Sequence, residues 1–176
     1  MSATTIVAHG GVLDDWLQRR RALGLDKRDE VWNGTHHVAP HAHASHGRLA
    51  ARLVVVLDGP ASAAGLVALT EFNLGVEDDF RVPDLGLVRQ QDEADLGLYL
   101  PTAEVVVGIV SPDDASRAKI PSYLGRGVRE VWLIDPAERV LTVHTSDARD
   151  AGPAGRPARS AVLGLDVEEV TRRLGW

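Results

Sequence analysis

The chain has 176 residues, 44% hydrophobic and 25% charged, with 25 acidic against 19 basic side chains and a net charge of −6. Its length predicts one domain over residues 1–176 that buries roughly 70% of its unfolded surface without staples. Zero cysteines exclude a disulfide scaffold, a cysteine nucleophile, a thiolate zinc site and a cysteine-held iron–sulfur cluster, and the acidic balance argues against a general nucleic-acid coat protein. No apolar run approaches the ~20 residues of a membrane span. The opening MSATTIVAHGG has no basic segment followed by an apolar one. Both observations predict a soluble, cytoplasmic protein.

Apolar residues at Val12, Leu13, Trp16, Leu17 and Leu23 predict a helix from Val12 to Leu25, with Arg19, Arg20 and Arg21 on its wetter side. Glu30 to Val38 reads as a strand interrupted by Gly34. Ser45 is placed to cap a helix running to about Leu57, which Asp58-Gly59-Pro60 should stop. Leu66 to Phe72 reads as a strand, Gly75 to Asp79 as turn material, and Asp84 to Val88 as a strand after Pro83. Gln90 to Asp95 reads as a polar loop. Ala103 to Val110 is the most apolar stretch, and its valines suit a strand covered on both faces. Ser111 as a cap and Pro112 at the first helical position predict a helix to about Leu124, kinked or restarted at Pro121. Glu130 to Ile134 and Val140 to His144 read as paired strands. Residues 146–159 form a loop rich in Gly, Ala, Pro and Arg, and Asp166 caps a short final helix. This order predicts an α/β (α+β) fold, a mixed sheet with helices packed against it.

Three places carry possible chemistry: Arg81-Val82-Pro83-Asp84, the buried strand ending Gly108-Ile109-Val110-Ser111-Pro112, and Lys119. An aspartate opening a strand, a second strand beside it and a nearby lysine suit metal-dependent phosphodiester hydrolysis. Carboxylate oxygens match Mg²⁺, the metal activates a bound water, and a lysine steadies the anionic transition state. On spacing alone, Asp84 as a turn residue and Lys119 as a solvated helix residue explain the pattern better.

The strings EFNLGVEDDFRVPDLGLVR, PTAEVVVGIVSPDD and AKIPSYLGRGVREVWLIDP resemble the Uma-two-like family of restriction endonucleases, a branch of the PD-(D/E)XK nuclease superfamily. RRRALGLDKRDEVWNGTHHVAP and SAVLGLDVEEVTRRLGW fit as well, so the resemblance covers nearly the whole chain. It implies a restriction-endonuclease-like core, a mixed central sheet flanked by helices, often as a homodimer. It implies Asp84 as the metal-holding aspartate for Mg²⁺ or Mn²⁺, Lys119 as the residue handling the attacking water, and Glu30 supporting either. DNA is the implied substrate. The chain departs from the pattern at Gly108, where such relatives carry glutamate, and at Asn33 and Ala115, where they tend to carry acids. Glu104, Asp113, Asp114 and Glu71 are the neighbouring carboxylates.

Two functional classes follow. One is a Mg²⁺-dependent DNA endonuclease, degenerate to the extent that Gly108 costs it a ligand. The other is a catalytically inactive dimeric module of the same fold that binds nucleic acid or protein. Five histidines, His36, His37, His41, His43 and His46, also invite a transition-metal reading. No carboxylate accompanies them in that window, and solvated histidines explain them more simply. Arg117, Arg126 and Arg129 are better phosphate contacts than Arg19, Arg20 and Arg21. Trp32 and Trp132 read as core residues, and Trp176 packs on the body or on a partner.

Overall fold

The structure, a computed structural model, describes residues 4–6, 11–39, 43–111, 115–146 and 159–176. In chain order its first half contains β1 (Thr4–Ile6), α1 (Gly11–Ala22), β2 (Glu30–Trp32), β3 (Thr35–Val38), α2 (Ala44–Ala63), β4 (Leu66–Leu69), β5 (Asn73–Val76) and β6 (Asp79–Arg81). Then come β7 (Leu85–Arg89), a 3-10 turn (Gln90–Asp95), β8 (Tyr99–Leu100), β9 (Val105–Ile109), α3 (Ser116–Gly125), β10 (Glu130–Asp135), β11 (Val140–His144) and α4 (Val167–Leu174).

The strands form two mixed sheets rather than one. A five-stranded sheet runs β11-β10-β9-β7-β4, with β9 and β10 parallel and the other pairs antiparallel. A six-stranded sheet runs β1-β3-β2-β6-β5-β8, parallel only between β5 and β8. The valines of β9 are buried on both faces, as their run predicts. Val105, Val107 and Ile109 meet Leu53 and Leu57 of α2 and Val170 and Leu174 of α4. Val106 points the other way, toward Tyr123 of α3, Val128 and Val131. Helix α3 makes the crossover that a parallel β9–β10 pair requires.

Several local expectations fail for identifiable reasons. Glu30–Val38 is a hairpin, not one interrupted strand. Asn33 (φ +49°) and Gly34 (φ +78°) both take positive φ, and an Asn-Gly pair of that kind turns tightly between β2 and β3. Gly75 to Asp79 is a second hairpin, with Gly75 inside β5 opposite Phe80. A Cβ on Gly75 would lie 2.2 Å from the Asp79 carbonyl oxygen, so only glycine permits that approach. Strand β4 ends at Leu69, because Glu71 turns away with φ +52°.

Helix α2 runs straight through Asp58-Gly59-Pro60. Leu53, Leu57 and Ala61 lie fully in the core along one stripe, and stopping at Pro60 would lift Ala61 out of it. Burial outweighs the single N–H that proline withholds from the helix ladder. The helix begins after His43, not Ser45, which sits in the first turn. Helix α3 starts at Ser116 rather than at Ser111–Pro112. The Val110 N–H still pairs with Ile134 O (2.8 Å), so the backbone remains extended there. Pro121 lies inside α3 without ending it, because Tyr123 anchors the following turn in the core. Asp166 occupies the N-cap position of α4, but its side chain takes Arg159 (3.1 Å) instead of a helix amide. Residues 147–158 of the expected loop, and Pro112, lie outside the described residues. Trp132 is core, and Trp176 packs on the chain's own core.

Among the described residues, no helix is long and apolar enough to cross a membrane. One buried charge fixes the C-terminal segment. Glu130, 1% exposed, accepts hydrogen bonds from Trp132 Nε1 (2.9 Å), Ser160 Oγ (2.7 Å), Ala161 N (2.7 Å) and Val162 N (3.0 Å). Removing the carboxylate strands four donors, each costing roughly 1 kcal/mol or more. Glu130→Ala should lower the unfolding free energy by about 3 kcal/mol or more in urea titration. A loss under about 1 kcal/mol would contradict this role.

Candidate functional site

The β7–β9 ladder pairs Leu85 with Val107 and Gly86 with Val106. One further step sets Asp84 opposite Gly108. By alternation Asp84 shares the face of Gly86 and Val88, the side on which Tyr123 and α3 pack. Its carboxylate is already engaged at both oxygens. Oδ2 accepts the Ile109 N–H (2.7 Å), and Oδ1 lies 2.7 Å from His46 Nε2 in the first turn of α2. An ionised carboxylate only accepts, so His46 Nε2 carries the hydrogen. That leaves Nδ1 of a neutral imidazole as an acceptor, 3.4 Å from the Ser111 hydroxyl. Arg28 reaches within 4.0 Å of Asp84 Oδ1, held by Glu71 at 2.6 Å.

Beside it lies a second carboxylate, buried Glu30 at the start of β2. Its Oε1 accepts Lys119 Nζ (2.7 Å) and the Val82 N–H (2.7 Å), and its Oε2 accepts Trp32 Nε1 (2.8 Å). Val82 is two residues before Asp84, so one carboxylate fixes both the lysine and the segment that delivers the aspartate. Trp32 stacks on His37 with ring centroids 4.2 Å apart, beneath the Arg81 guanidinium at 4.7 Å. Burial lowers the His37 pKa, Glu30 opposes it, and Arg81, Lys119 and His36 add to it. Burial also pushes the Tyr123 hydroxyl well above its ordinary range, helped by the charges of Glu30 and then Asp84. Both carboxylates therefore act on the same buried hydroxyl of α3.

Of the three residues expected to form the site, Glu30 and Lys119 are in direct contact, and Glu30 also holds the Val82 N–H two residues before Asp84. Arg28 and Trp32 were not expected, and His46, read with its neighbours as a solvated histidine, holds Asp84 instead. Trp32 is a half-buried partner of Glu30 rather than a core residue, and a tryptophan two residues from an acid on a strand gave no sign of it. His46 was hidden among neighbours that do unrelated things: His36 and His37 lie in β3, His43 precedes α2, and His41 is outside the described residues.

Among the described residues, no neighbour stands in for the side chain that Gly108 lacks. Glu104 lies beyond the other end of β9, paired with Arg129 (3.3 Å) and Arg89 (3.8 Å). Glu71 holds Arg28, and Asp113 and Asp114 lie outside the described residues. Among the described residues, no group of three or more His, Asp or Glu side chains could hold a metal ion. Arg117, Arg126 and Arg129 are each committed to a carboxylate: Asp135, Asp79 and Glu104. Arg20 is committed to Asp29.

Residues 14–168 match the Uma2 family, described as "Putative restriction endonuclease". The chain belongs to the Uma2 family. No curated protein matches it. A crystal structure of a "putative nuclease belonging to DUF820" from Anabaena variabilis is similar, with a TM-score of 0.66 and 20% identity over 83% of this chain and 90% of that one. At that identity the likeness speaks for the fold. This Uma2 member has the restriction-endonuclease-like combination of mixed sheet and flanking helices, with two sheets where the sequence implied one.

The frame around the site depends on one further acid. Burial raises the Asp79 carboxyl, but hydrogen bonds from Arg81, the Asn33 amide and Arg126 outweigh it and bring its pKa from 3.8 to about 2. A carboxylate lowered in the folded state stabilises above its unfolded pKa and loses that contribution as pH falls through the folded value. With the side chain 30% exposed, the contribution is discounted for solvent to about 1–2 kcal/mol. Asp79→Asn should therefore lower stability near neutrality and remove part of the loss between about pH 4 and pH 2. Identical acid-unfolding curves for the two proteins would contradict this.

Proposed function

We propose that the polar face carrying Asp84, Glu30 and Lys119 forms a cleft for a DNA phosphodiester, a site of the PD-(D/E)XK type from which Mg²⁺-dependent hydrolysis has been lost. One observation carries the reading: Asp84 faces a glycine, and both of its oxygens are already bonded to the protein. Family membership supports the nuclease ancestry, and with it DNA as the ligand. The retained Glu30, Asp84 and Lys119 support the assignment of this cleft rather than another.

A divalent ion is what such an ancestry implies, but these residues do not fit one. Mg²⁺ gives up its waters reluctantly and demands a near-octahedral oxygen set. One engaged aspartate opposite a glycine does not supply it, and Glu30 is spent on Lys119, Val82 and Trp32. Lys119 and Arg28 are partly exposed there, each already paired with an acid, Glu30 and Glu71, with which a phosphate must compete. With a chain charge of −6, DNA affinity then rests on local cations and falls steeply with salt. The resemblance brings a homodimer into the same proposal, with one cleft per copy. Light scattering giving only an 18.9 kDa species at high concentration would remove that part.

Restoring the acid tests the proposal. A Cβ at position 108 meets only Leu133 Cδ2, at 3.2 Å, and the tip of a leucine side chain can yield. Gly108→Glu should cost about 1 kcal/mol of stability, toward the low end for a tight insertion. It should tighten Mn²⁺ binding in calorimetric titration by about 10-fold or more, the order of effect expected when a metal site gains a supporting group. The unmodified protein should bind duplex DNA in EDTA and show no Mg²⁺-dependent cleavage of plasmid DNA. Mg²⁺-dependent plasmid cleavage by the unmodified protein that disappears in Asp84→Ala would overturn the proposal.

A further inference from the structure

Three groups from three separate elements form a hydrogen-bonded line that metal-assisted chemistry does not need. The Ser111 hydroxyl, just past β9, lies 3.4 Å from His46 Nδ1. His46 Nε2, in the first turn of α2, lies 2.7 Å from Asp84 Oδ1. Asp84 is oriented in turn by the Ile109 N–H on its other oxygen. A hydroxyl, an imidazole whose proton is fixed on the far nitrogen, and a carboxylate that fixes it make up an activated nucleophile. The ring is turned so that Nδ1, not Nε2, faces the hydroxyl. The hydroxyl contact is long, and such contacts commonly tighten only when substrate binds. His46 and Asp84 are mostly shielded, with side chains 13% and 19% exposed, which favours a defined proton path over a solvated one.

We propose that Ser111, His46 and Asp84 form a metal-free nucleophile relay directed at phosphorus esters. For its natural substrate this rests on the DNA reading above. Ser111 Oγ attacks the phosphorus of a phosphodiester while its proton passes to His46 Nδ1. The bond from phosphorus to one ester oxygen breaks, and His46 returns the proton to that leaving oxygen. The strand is then joined to Ser111 through phosphorus. No oxidant, reductant or metal enters the balance. Arg28, 4.0 Å from Asp84, is the guanidinium nearest the relay among the ion pairs of the cleft.

Diisopropyl fluorophosphate tests the relay independently of DNA. With the full-length protein in EDTA, the Oγ–P bond forms, the P–F bond breaks, and fluoride and the serine proton leave. Peptide mass mapping should place the adduct on Ser111. Its rate of formation should fall about 10²-fold in His46→Gln, the lower end of what a general base supplies. Asp84→Asn, which keeps the side-chain shape, should show a loss in the same direction. Added imidazole should restore part of the labelling in His46→Ala and none in Ser111→Ala, a rescue that a purely structural histidine would not give. Circular dichroism identifies any variant that has failed to fold. Labelling of Ser111 no faster than of other serines, or unchanged in both His46→Gln and Asp84→Asn, would overturn the relay. A protein that binds DNA but leaves Ser111 unlabelled refutes the relay alone. One that labels at Ser111 but does not bind DNA refutes the DNA reading and leaves the relay standing.

Discussion

Where β7 meets β9, the carboxylate of Asp84 stands in for a backbone partner: it takes the Ile109 N–H at 2.7 Å, at the end of the ladder through which the two strands pair. The same carboxylate takes His46 of α2, so a single side chain joins the sheet to the helix that covers it. Buried polar groups must be satisfied, and here the protein satisfies Asp84 itself. The consequence is chemical. A carboxylate fully used as an internal hydrogen-bond acceptor offers little to an incoming cation.

The charged residues around Asp84 repeat that economy of charge. Glu30 neutralises Lys119 and holds Val82 and Trp32, Glu71 neutralises Arg28, and Asp79 takes Arg81 and Arg126. Each acid is closed by a cation or an N–H of the chain, so the site is stable as a polar network without help from a bound ion. A network of this kind is rigid and specific, with Arg81 Nε its one buried donor lacking an acceptor among the described residues. It is also a poor starting point for the metal-dependent hydrolysis proposed as the ancestral activity.

What was legible in the sequence follows from which signals are local. The valines of β9 and the apolar run of β10 announced strands buried on both faces, because burial on both sides removes alternation. Asp84, Glu30 and Lys119 were legible through the resemblance rather than through spacing, since 35 residues separate Asp84 from Lys119. Helix α2 was misjudged at Pro60 because a local breaker competes with Ala61 and Leu57 in a core that the sequence does not display. The role of His46 was illegible for the same reason. Its partner Asp84 lies 38 residues away, and only the packing of α2 on the sheet brings the two together. The turn at Asn33-Gly34 was the opposite case: the dipeptide itself encodes a hairpin, and the reading gave too little weight to it.

The central claim is that Asp84 is closed by the protein and not by a metal. Crystals of the unmodified protein soaked in Mn²⁺, with anomalous scattering collected at the manganese edge, test it most directly. The account predicts no anomalous peak within bonding distance of Asp84, with the His46 and Ile109 hydrogen bonds intact. An ordered ion on an Asp84 oxygen, with His46 displaced from it, would contradict the account.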